Sequence, residues 1–166
     1  MIVTTKYNQT TISKKVSLTG VGLHTGKDVT ITFYPSTPNT GYIFKRIDLD
    51  NQPVVEADIN YVTNTERGTC LNKNGIIIQT CEHVLASLVG LEIDNVLIEL
   101  DASEPPIMDG SSKYFVHALE KAGIKNLDKK RKEFVVRKVI SYKDENNGSE
   151  ITIIPSDNYQ VTTMVD

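Results

Sequence analysis

The stretch CEHVLASLVGLEIDNVLIEL, residues 81–100, changes its hydrophobic period partway along. Its first half has apolar residues at i, i+1, i+4 and i+5, the spacing of an amphipathic helix: Val84, Leu85, Leu88 and Val89. The helix is predicted to begin after Thr80, whose hydroxyl can cap it, and to end at Gly90. DNVLIELDA then has the continuous apolar run of a buried strand. The chain therefore combines helix and strand.

The first third of the chain has the pattern of strands. TISKKVSLTGVG alternates apolar and polar residues, although Lys14 interrupts it, and DVTITFYP alternates regularly up to Pro35. GYIFKRIDL is predicted to be the strand that returns after the turn PSTPNTG. The Asn-Gly pair in NKNG predicts a hairpin within RGTCLNKNGIIIQT.

The second half continues with a helix, a charged run and further strands. SSKYFVHALEKAG predicts a helix that Ser111 or Ser112 caps and Gly123 ends. NLDKKRKE has no apolar anchor and predicts a solvated linker. Strands resume in EFVVRKVISY, SEITIIP and YQVTTMVD. Because the last would stop at Asp166 without a partner, we expect a fragment that ends shortly after a second domain begins.

Charge and cysteine content narrow the classes of function. The net charge of -3 argues against nucleic acid as a partner, since phosphate binding favours a basic stripe. Cys70 and Cys81 form no CxxC pair, which excludes a closed thiolate zinc site, and two reduced thiols are a simpler interpretation than one disulfide. No apolar stretch in the N-terminal residues MIVTTKYNQTTISKK is long enough for a signal peptide, and no segment approaches the length of a membrane span, so we expect a cytoplasmic protein.

Glu82 and His83 stand side by side where the first helix is predicted to begin. Neighbours on a helix are about 100° apart, so the two side chains can border one cleft without sharing a face. A neutral imidazole there could ligate zinc, and the carboxylate could take a proton from a zinc-bound water. Alternatively, Glu82 complements the helix dipole and His83 is a half-buried surface residue. The dipeptide alone does not decide between them.

Other motifs carry less chemistry. TGVGLHTGKD has the wrong spacing for a phosphate loop and leads into a strand, so it is interpreted as a glycine-rich turn. His24 and His117 are more typical of surface or packed histidines than of ligands. A catalytic zinc needs about three protein ligands, which three scattered histidines do not supply. No GxSxG elbow surrounds Ser111 or Ser112, which disfavours a serine nucleophile.

Four segments in one order and spacing carry a family resemblance: GVGLHTGKDVT, NTGYIFKRIDL, TCEHVLASLVGLEIDNVLIEL and EPPIMDGSS. Together they resemble the N-terminal half of the UDP-3-O-acyl-N-acetylglucosamine deacetylase (LpxC) family, zinc amidases of lipid A synthesis. ERGTCL and GSEITIIPSDNYQVTTMVD look most like the Bacteroidetes branch of this family. In that branch the deacetylase is often fused to a 3-hydroxyacyl-carrier-protein dehydratase.

The resemblance implies an α+β fold in two parts. Residues 1–126 would form a two-layer deacetylase domain, a mixed β-sheet covered by two main helices. Residues 127–166 would be a linker and the first strands of a second, related domain. The implied activity is zinc-dependent removal of acetate from a UDP-sugar lipid, UDP-3-O-(3-hydroxyacyl)-N-acetylglucosamine.

Site residues are implied by the same resemblance. The family motif TVEH reads TCEH here, which makes Glu82 the general base and His83 one ligand of Zn²⁺. The other ligands would come from the C-terminal deacetylase domain, so we expect residues 1–166 alone to be inactive. The family loop that borders the active site falls on the candidate substrate-binding residues Thr65, Glu66, Arg67 and Gly68, although many relatives have apolar residues in place of Glu66 and Arg67.

Two other classes of function are alternatives. The chain could be a non-catalytic binding or structural domain, because most of a zinc site is missing from its sequence. An RNA-associated domain of similar topology is disfavoured by the acidic balance and by the lack of interleaved aromatic and basic residues.

Overall fold

The computed structural model describes residues 1–164. The chain divides into two compact units, Asn8–Lys129 and a unit that joins Met1–Tyr7 with Lys130–Asp166. In chain order the elements are β1 (Ile2–Ile12), β2 (Val16–Val21), β3 (Asp28–Pro35), β4 (Tyr42–Arg46), β5 (Val54–Glu56), a 3-10 turn (Ile59–Tyr61), β6 (Val62–Asn64), β7 (Cys70–Lys73), β8 (Ile76–Ile78), α1 (Glu82–Gly90), β9 (Val96–Leu100), α2 (Lys113–Ala122), β10 (Ile124–Phe134), β11 (Ile140–Lys143) and β12 (Glu150–Ile153). The assignment of residues 1–126 and 127–166 to two deacetylase domains stays a prediction.

The unit Asn8–Lys129 contains a mixed sheet of five strands in the order β2-β3-β9-β4-β5. Only the β4–β9 pair is parallel, and the other three pairs are antiparallel. Strand β9 lies at the centre of the sheet, where it pairs with β3 along one edge and with β4 along the other. Its residues Val96, Ile98 and Leu100 are fully buried on one face of the sheet. This is the mixed sheet of an α+β domain, as predicted.

One face of this sheet supplies the apolar core. The register places Ile31 opposite Leu100, and it places both Phe33 and Phe44 opposite Ile98, so large side chains from three strands meet on one face. All five of these residues are fully buried. Burying such side chains contributes about 1.5–3 kcal/mol each before entropy is counted.

The two helices cover that face. Phe115 of α2 contacts Phe33 of β3 edge to face, with ring centroids 6.4 Å apart. Val84 and Leu88 of α1 belong to the same buried cluster, and α1 and α2 also contact each other. The result is a two-layer domain, in which helices cover one side of a sheet. Neither helix of the described residues has the length and apolar character needed to cross a bilayer.

A second sheet, β6-β7-β8, carries the segment that leads to α1. Arg46 at the end of β4 connects the two sheets, because one guanidinium nitrogen donates to the carbonyl oxygen of Ile77 at 2.8 Å. The Nε and Nη2 atoms of Arg46 donate to the two carboxylate oxygens of Asp48, at 2.8 and 2.7 Å. The Asn74–Gly75 turn joins β7 to β8 with positive φ at both residues, which confirms the predicted hairpin.

The second unit contains the hairpin β11–β12. Ile140 pairs with Ile153 and Tyr142 with Ile151, and all four side chains are exposed. Strands β1 and β10 form a two-stranded sheet, and both strands have residues in each unit. Met1 and Val135 exchange main-chain hydrogen bonds of 3.0 and 2.8 Å at one end of this pair.

Two strand predictions and one linker prediction were wrong. GYIFKRIDL does not return against DVTITFYP, because β9 lies between β3 and β4 and pairs with both. The charged run NLDKKRKE is part of strand β10, since pairing with β1 satisfies its main chain while most of its side chains remain exposed. YQVTTMVD forms no strand at residues 159–164, and its last two residues lie outside the described part.

Smaller corrections concern boundaries and caps. TISKKVSLTGVG and EFVVRKVISY are each divided between two strands, because strand structure is interrupted at residues 13–15 and at residues 135–139. Thr80 does not cap α1, since its hydroxyl donates to Glu104 instead. In α2, the Ser111 hydroxyl accepts from the Lys113 amide at 3.2 Å, whereas Ser112 makes no side-chain cap bond. Gly123 ends α2 with a φ of 72°, as predicted.

Candidate active site

Glu82 and His83 are the first two residues of α1, and both side chains reach solvent. The side chains of Glu82 and His83 are 37% and 29% exposed, and Glu82 Oε1 lies 3.8 Å from His83 Nε2. The structure therefore brings the predicted carboxylate and imidazole together at an open helix start. Such partial exposure is what a ligand or base needs if substrate is to reach it.

The main chain of a neighbouring loop orients the Glu82 carboxylate. The Thr69 amide donates to Glu82 Oε2 at 2.8 Å. Gly68 lies beside the other oxygen, because a Cβ atom built on Gly68 would be 3.5 Å from Glu82 Oε1. One carboxylate oxygen is thus held by an amide, and the other lies nearest the imidazole.

The entry to α1 has an uncommon backbone conformation. Thr80 has a φ of 49°, which a β-branched residue rarely adopts. Cys81 follows in a right-handed conformation as the N-cap residue and makes no side-chain cap bond. Its buried thiol lies 3.4 Å from the Thr69 carbonyl oxygen, and burial raises its pKa to about 12. Both cysteines are free thiols, and Cys81 is neutral at physiological pH.

The four residues predicted to bind substrate differ in their distance from Glu82. Gly68 lies beside the Glu82 carboxylate and the Thr80 hydroxyl. The side chains of Thr65, Glu66 and Arg67 are exposed to solvent. Arg67 has a φ of 59°, so the loop has a second residue in the left-handed region. The proposed role of these four residues in binding substrate stays a prediction.

Two further residues lie around this pair: Glu104, which the sequence patterns did not mark, and His24, which they interpreted as a surface or packed histidine. Glu104 is fully buried and accepts a 2.8 Å hydrogen bond from the Thr80 hydroxyl. It also accepts from the main-chain amides of His24 and Thr25 at 3.0 and 2.9 Å. His24 Nε2 lies 3.3 Å from the carbonyl oxygen of Arg67, which can only accept, so the ring nitrogen donates. A glutamate directly before Pro105 and Pro106 was the one sequence signal available, and it does not reveal burial.

The described residues offer one side chain suited to binding a metal ion. His83 offers an exposed imidazole nitrogen, the kind of ligand that zinc favours, with a carboxylate beside it. Within residues 1–164, no group of three or more histidine, cysteine, aspartate or glutamate side chains could hold an ion. His83 can therefore act as one ligand only if the other ligands come from elsewhere.

The fold and the site define a two-layer α+β domain with a carboxylate–imidazole pair at the open start of a helix. The sequence model of the LpxC family, described as UDP-3-O-acyl N-acetylglycosamine deacetylase, matches residues 9–166. The chain belongs to this family. The resemblance identified from the sequence is therefore confirmed.

Individual relatives agree with this assignment. A protein named bifunctional enzyme LpxC/FabZ from Bacteroides thetaiotaomicron is 41% identical over 157 residues, which are 95% of this chain and 34% of the relative. One with the same name from Chlorobaculum tepidum is 43% identical over 159 residues, 96% of this chain and 34% of the relative. A protein named UDP-3-O-acyl-N-acetylglucosamine deacetylase from Geobacter sp. M21 is 40% identical over 154 residues, 93% of this chain and 50% of the relative. The chain thus spans between a third and a half of the length of these relatives.

Proposed function

We propose that these residues are the N-terminal part of a zinc-dependent deacetylase. The substrate would be UDP-3-O-(3-hydroxyacyl)-N-acetylglucosamine, and loss of its acetyl group would be the committed step of lipid A biosynthesis. The observation that carries this proposal is the open Glu82–His83 pair, with a separation of 3.8 Å, within a chain that the family model matches almost throughout. Relatives named for this deacetylase activity support the choice of substrate.

Glu82 is suited to the role of general base. Its Oε2 atom is held by the Thr69 amide, so the carboxylate has a fixed direction before substrate arrives. Glu82 would take a proton from the attacking water, and the departing amine nitrogen would receive a proton either from the protonated Glu82 or from a second acid. Acetate and a free amino sugar would be the products. A positioned base of this kind contributes about 10²–10⁴-fold to a rate.

His83 is suited to the role of a metal ligand. The His83 imidazole is partly exposed at the start of α1. The Ser112 hydroxyl donates to the main-chain carbonyl oxygen of His83 at 2.9 Å, which connects this turn to the segment before α2. Zinc bound there would supply Lewis-acid activation of the water and of the acetamide carbonyl. The remaining ligands would come from the C-terminal deacetylase domain, which the length of the relatives supports.

The test is the substitution Glu82→Ala in the complete enzyme that this proposal implies. We expect turnover to fall by about 10²–10⁴-fold while zinc content stays at the wild-type level, because the base is lost and the ligand His83 is kept. Acetate release and metal content by atomic absorption measure the two quantities. Glu120→Ala, an exposed carboxylate on α2, is the matched control and should leave turnover unchanged. Near-normal turnover in Glu82→Ala would contradict the role of base.

A second candidate describes the 166 residues by themselves as a non-catalytic domain. It is favoured by the absence of any three-ligand group among the described residues. Assayed in parallel, the 166-residue chain should release no acetate and should bind zinc only weakly. Turnover by this chain together with stoichiometric zinc would refute the second candidate and show that residues 1–166 suffice.

A further inference from the structure

Glu104 is a buried carboxylate that the proposed chemistry does not use. It is fully buried, and no lysine or arginine within residues 1–164 forms an ion pair with it. Burial raises the pKa of Glu104, but hydrogen bonds from Thr25, Thr80 and His24 outweigh burial and hold this pKa below its usual value. Glu104 is therefore an anion at neutral pH, held only by N–H and O–H donors.

A buried anion without a cation is an expensive way to stabilise a fold, because desolvation of the charge must be offset entirely by the donors around it. Each donor to Glu104 is therefore important. The donors come from two separate places in the chain, the glycine-rich turn at residues 22–25 and the residue Thr80 before α1. The carboxylate fixes these two segments relative to each other.

The glycine-rich turn is shaped to receive this carboxylate. A Cβ atom on Gly22 would lie 2.7 Å from Glu104 Oε2 and would also collide with the Thr25 hydroxyl. Glycine at position 22 therefore permits the close approach that lets His24 and Thr25 donate from their main chain. The motif TGVGLHTGKD, which fails as a phosphate loop, has a physical role here as the binding site of an internal carboxylate.

Both segments that Glu104 fixes continue to the proposed base. Thr80 stands two residues before Glu82, and its left-handed conformation sets the direction in which α1 begins. On the other side, the ring of His24 donates to Arg67 O, and this loop continues to Thr69, whose amide holds Glu82 Oε2. The carboxylate of Glu82 is thus constrained from the helix side and from the loop side.

We propose that Glu104 is a positioning residue that holds Glu82 and His83 in place by binding Thr80 and the turn at residues 22–25. This inference rests on the proposed function, since it assigns Glu104 a task for that same site. Because Glu104 is fully buried, it would not reach substrate or metal itself. Its effect passes through the Thr80 hydroxyl and the backbone of α1.

The activity test uses Thr80→Val in the complete enzyme, because valine keeps the β-branched shape and replaces only the hydroxyl, with a methyl group that cannot donate a hydrogen bond. We expect kcat to fall about tenfold to a hundredfold, since a shift of the base by a fraction of an ångström to 1 Å is that costly, while KM changes less than about twofold. Thr80→Ser, which keeps the hydroxyl, should restore most of kcat. Thr11→Val is the matched control, a buried threonine whose hydroxyl accepts from Ser36 N. Equal losses of kcat in Thr80→Val and Thr11→Val would overturn the proposal.

A second measurement does not depend on activity or metal. In the 166-residue chain, Thr80→Val should raise hydrogen exchange of the Thr69 amide about tenfold, because its acceptor Glu82 Oε2 is no longer held. Thr11→Val should leave this amide unchanged. Wild-type exchange in Thr80→Val would overturn the proposal, whatever the turnover. Faster exchange together with normal turnover of Glu82→Ala would support the positioning link and reject only the proposed function.

Discussion

Two charged residues, of types that are usually exposed, are buried in this fold. Arg46 is 7% exposed and Glu104 is not exposed at all. Arg46 is satisfied by Asp48 and by a main-chain oxygen 31 residues away, and Glu104 by amides about 80 residues away. Sequence patterns could single out Glu82 and His83, because the family motif places them. They could not find Glu104, because its partners are close only in the folded chain.

Gly22 is the residue at which this buried network is most sensitive to added volume. Gly22→Ala should lower the free energy of unfolding by about 1–3 kcal/mol, because its Cβ would overlap a carboxylate that hydrogen bonds hold in place. Gly90→Ala is the control, since a Cβ there meets nothing within 4 Å and φ is not positive, so stability should stay or rise slightly. Urea unfolding followed by circular dichroism measures both. Equal stabilities of the two variants would contradict the close approach.

The buried face of helix α1 differs from the predicted apolar face, because it includes a polar residue, Ser87. The sequence predicted a stripe of Val84, Leu85, Leu88 and Val89, but Val89 is 65% exposed and Ser87 is buried. The true face follows i, i+3 and i+4 through Val84, Ser87 and Leu88. Ser87 can be buried because its hydroxyl donates to the Val84 carbonyl oxygen at 2.7 Å. A hydrophobic pattern cannot reveal a serine that is satisfied within its own helix.

The two neighbouring residues Leu88 and Val89 test this rotation of the face. Leu88→Ala should cost about 2–5 kcal/mol, because it opens a cavity in the core that α1 shares with the sheet. Val89→Ala should change stability by less than about 0.5 kcal/mol, as expected of a surface position. Thermal and urea unfolding of both variants provide the comparison. Similar losses at the two positions would mean that the originally predicted stripe is the buried one.

Elements with a local signal were predictable, and elements whose signal comes from distant partners were not. Both helices, the hairpin β7–β8 and the buried strand β9 follow from spacing and turn residues within each segment. The pairing of β9 with β3 and β4 does not, because Ile31 meets Leu100 far along the chain. The charged residues of β10 do not predict a strand, because such residues are uncommon in strands. The segment is a strand because its main chain pairs with β1.

At the scale of the whole molecule, buried and paired carboxylates make stability depend on pH. Hydrogen bonding to Arg46 lowers the pKa of Asp48, hydrogen bonding to Lys73 lowers that of Glu56, and the donors around Glu104 outweigh burial to lower its pKa too. In each case the folded pKa lies below the unfolded one. These groups therefore stabilise the fold above their unfolded pKa, and the contribution is lost as pH falls through the folded pKa.

The free energy of unfolding should therefore fall steadily as pH is lowered from about 5, because the unfolded chain binds more protons than the folded one. Urea unfolding at a series of pH values measures this slope. Asp48→Asn is the diagnostic variant, since it removes one of the responsible groups and should reduce the difference in stability between neutral and acidic pH. A stability that is constant or rises on acidification would be inconsistent with the lowered pKa values.

The place of β9 in the five-stranded sheet has a consequence for the order of events during synthesis. Strand β9 is the last of the five strands to leave the ribosome, yet it lies between β3 and β4. Until Leu100 has emerged, Phe33 and Phe44 have no common partner, and the nascent chain exposes apolar side chains that invite aggregation. Insertion of β9 must then close sheet and core together, a long-range step that is slow. Translation halted before Val96 would leave two separate hairpins, β2–β3 and β4–β5.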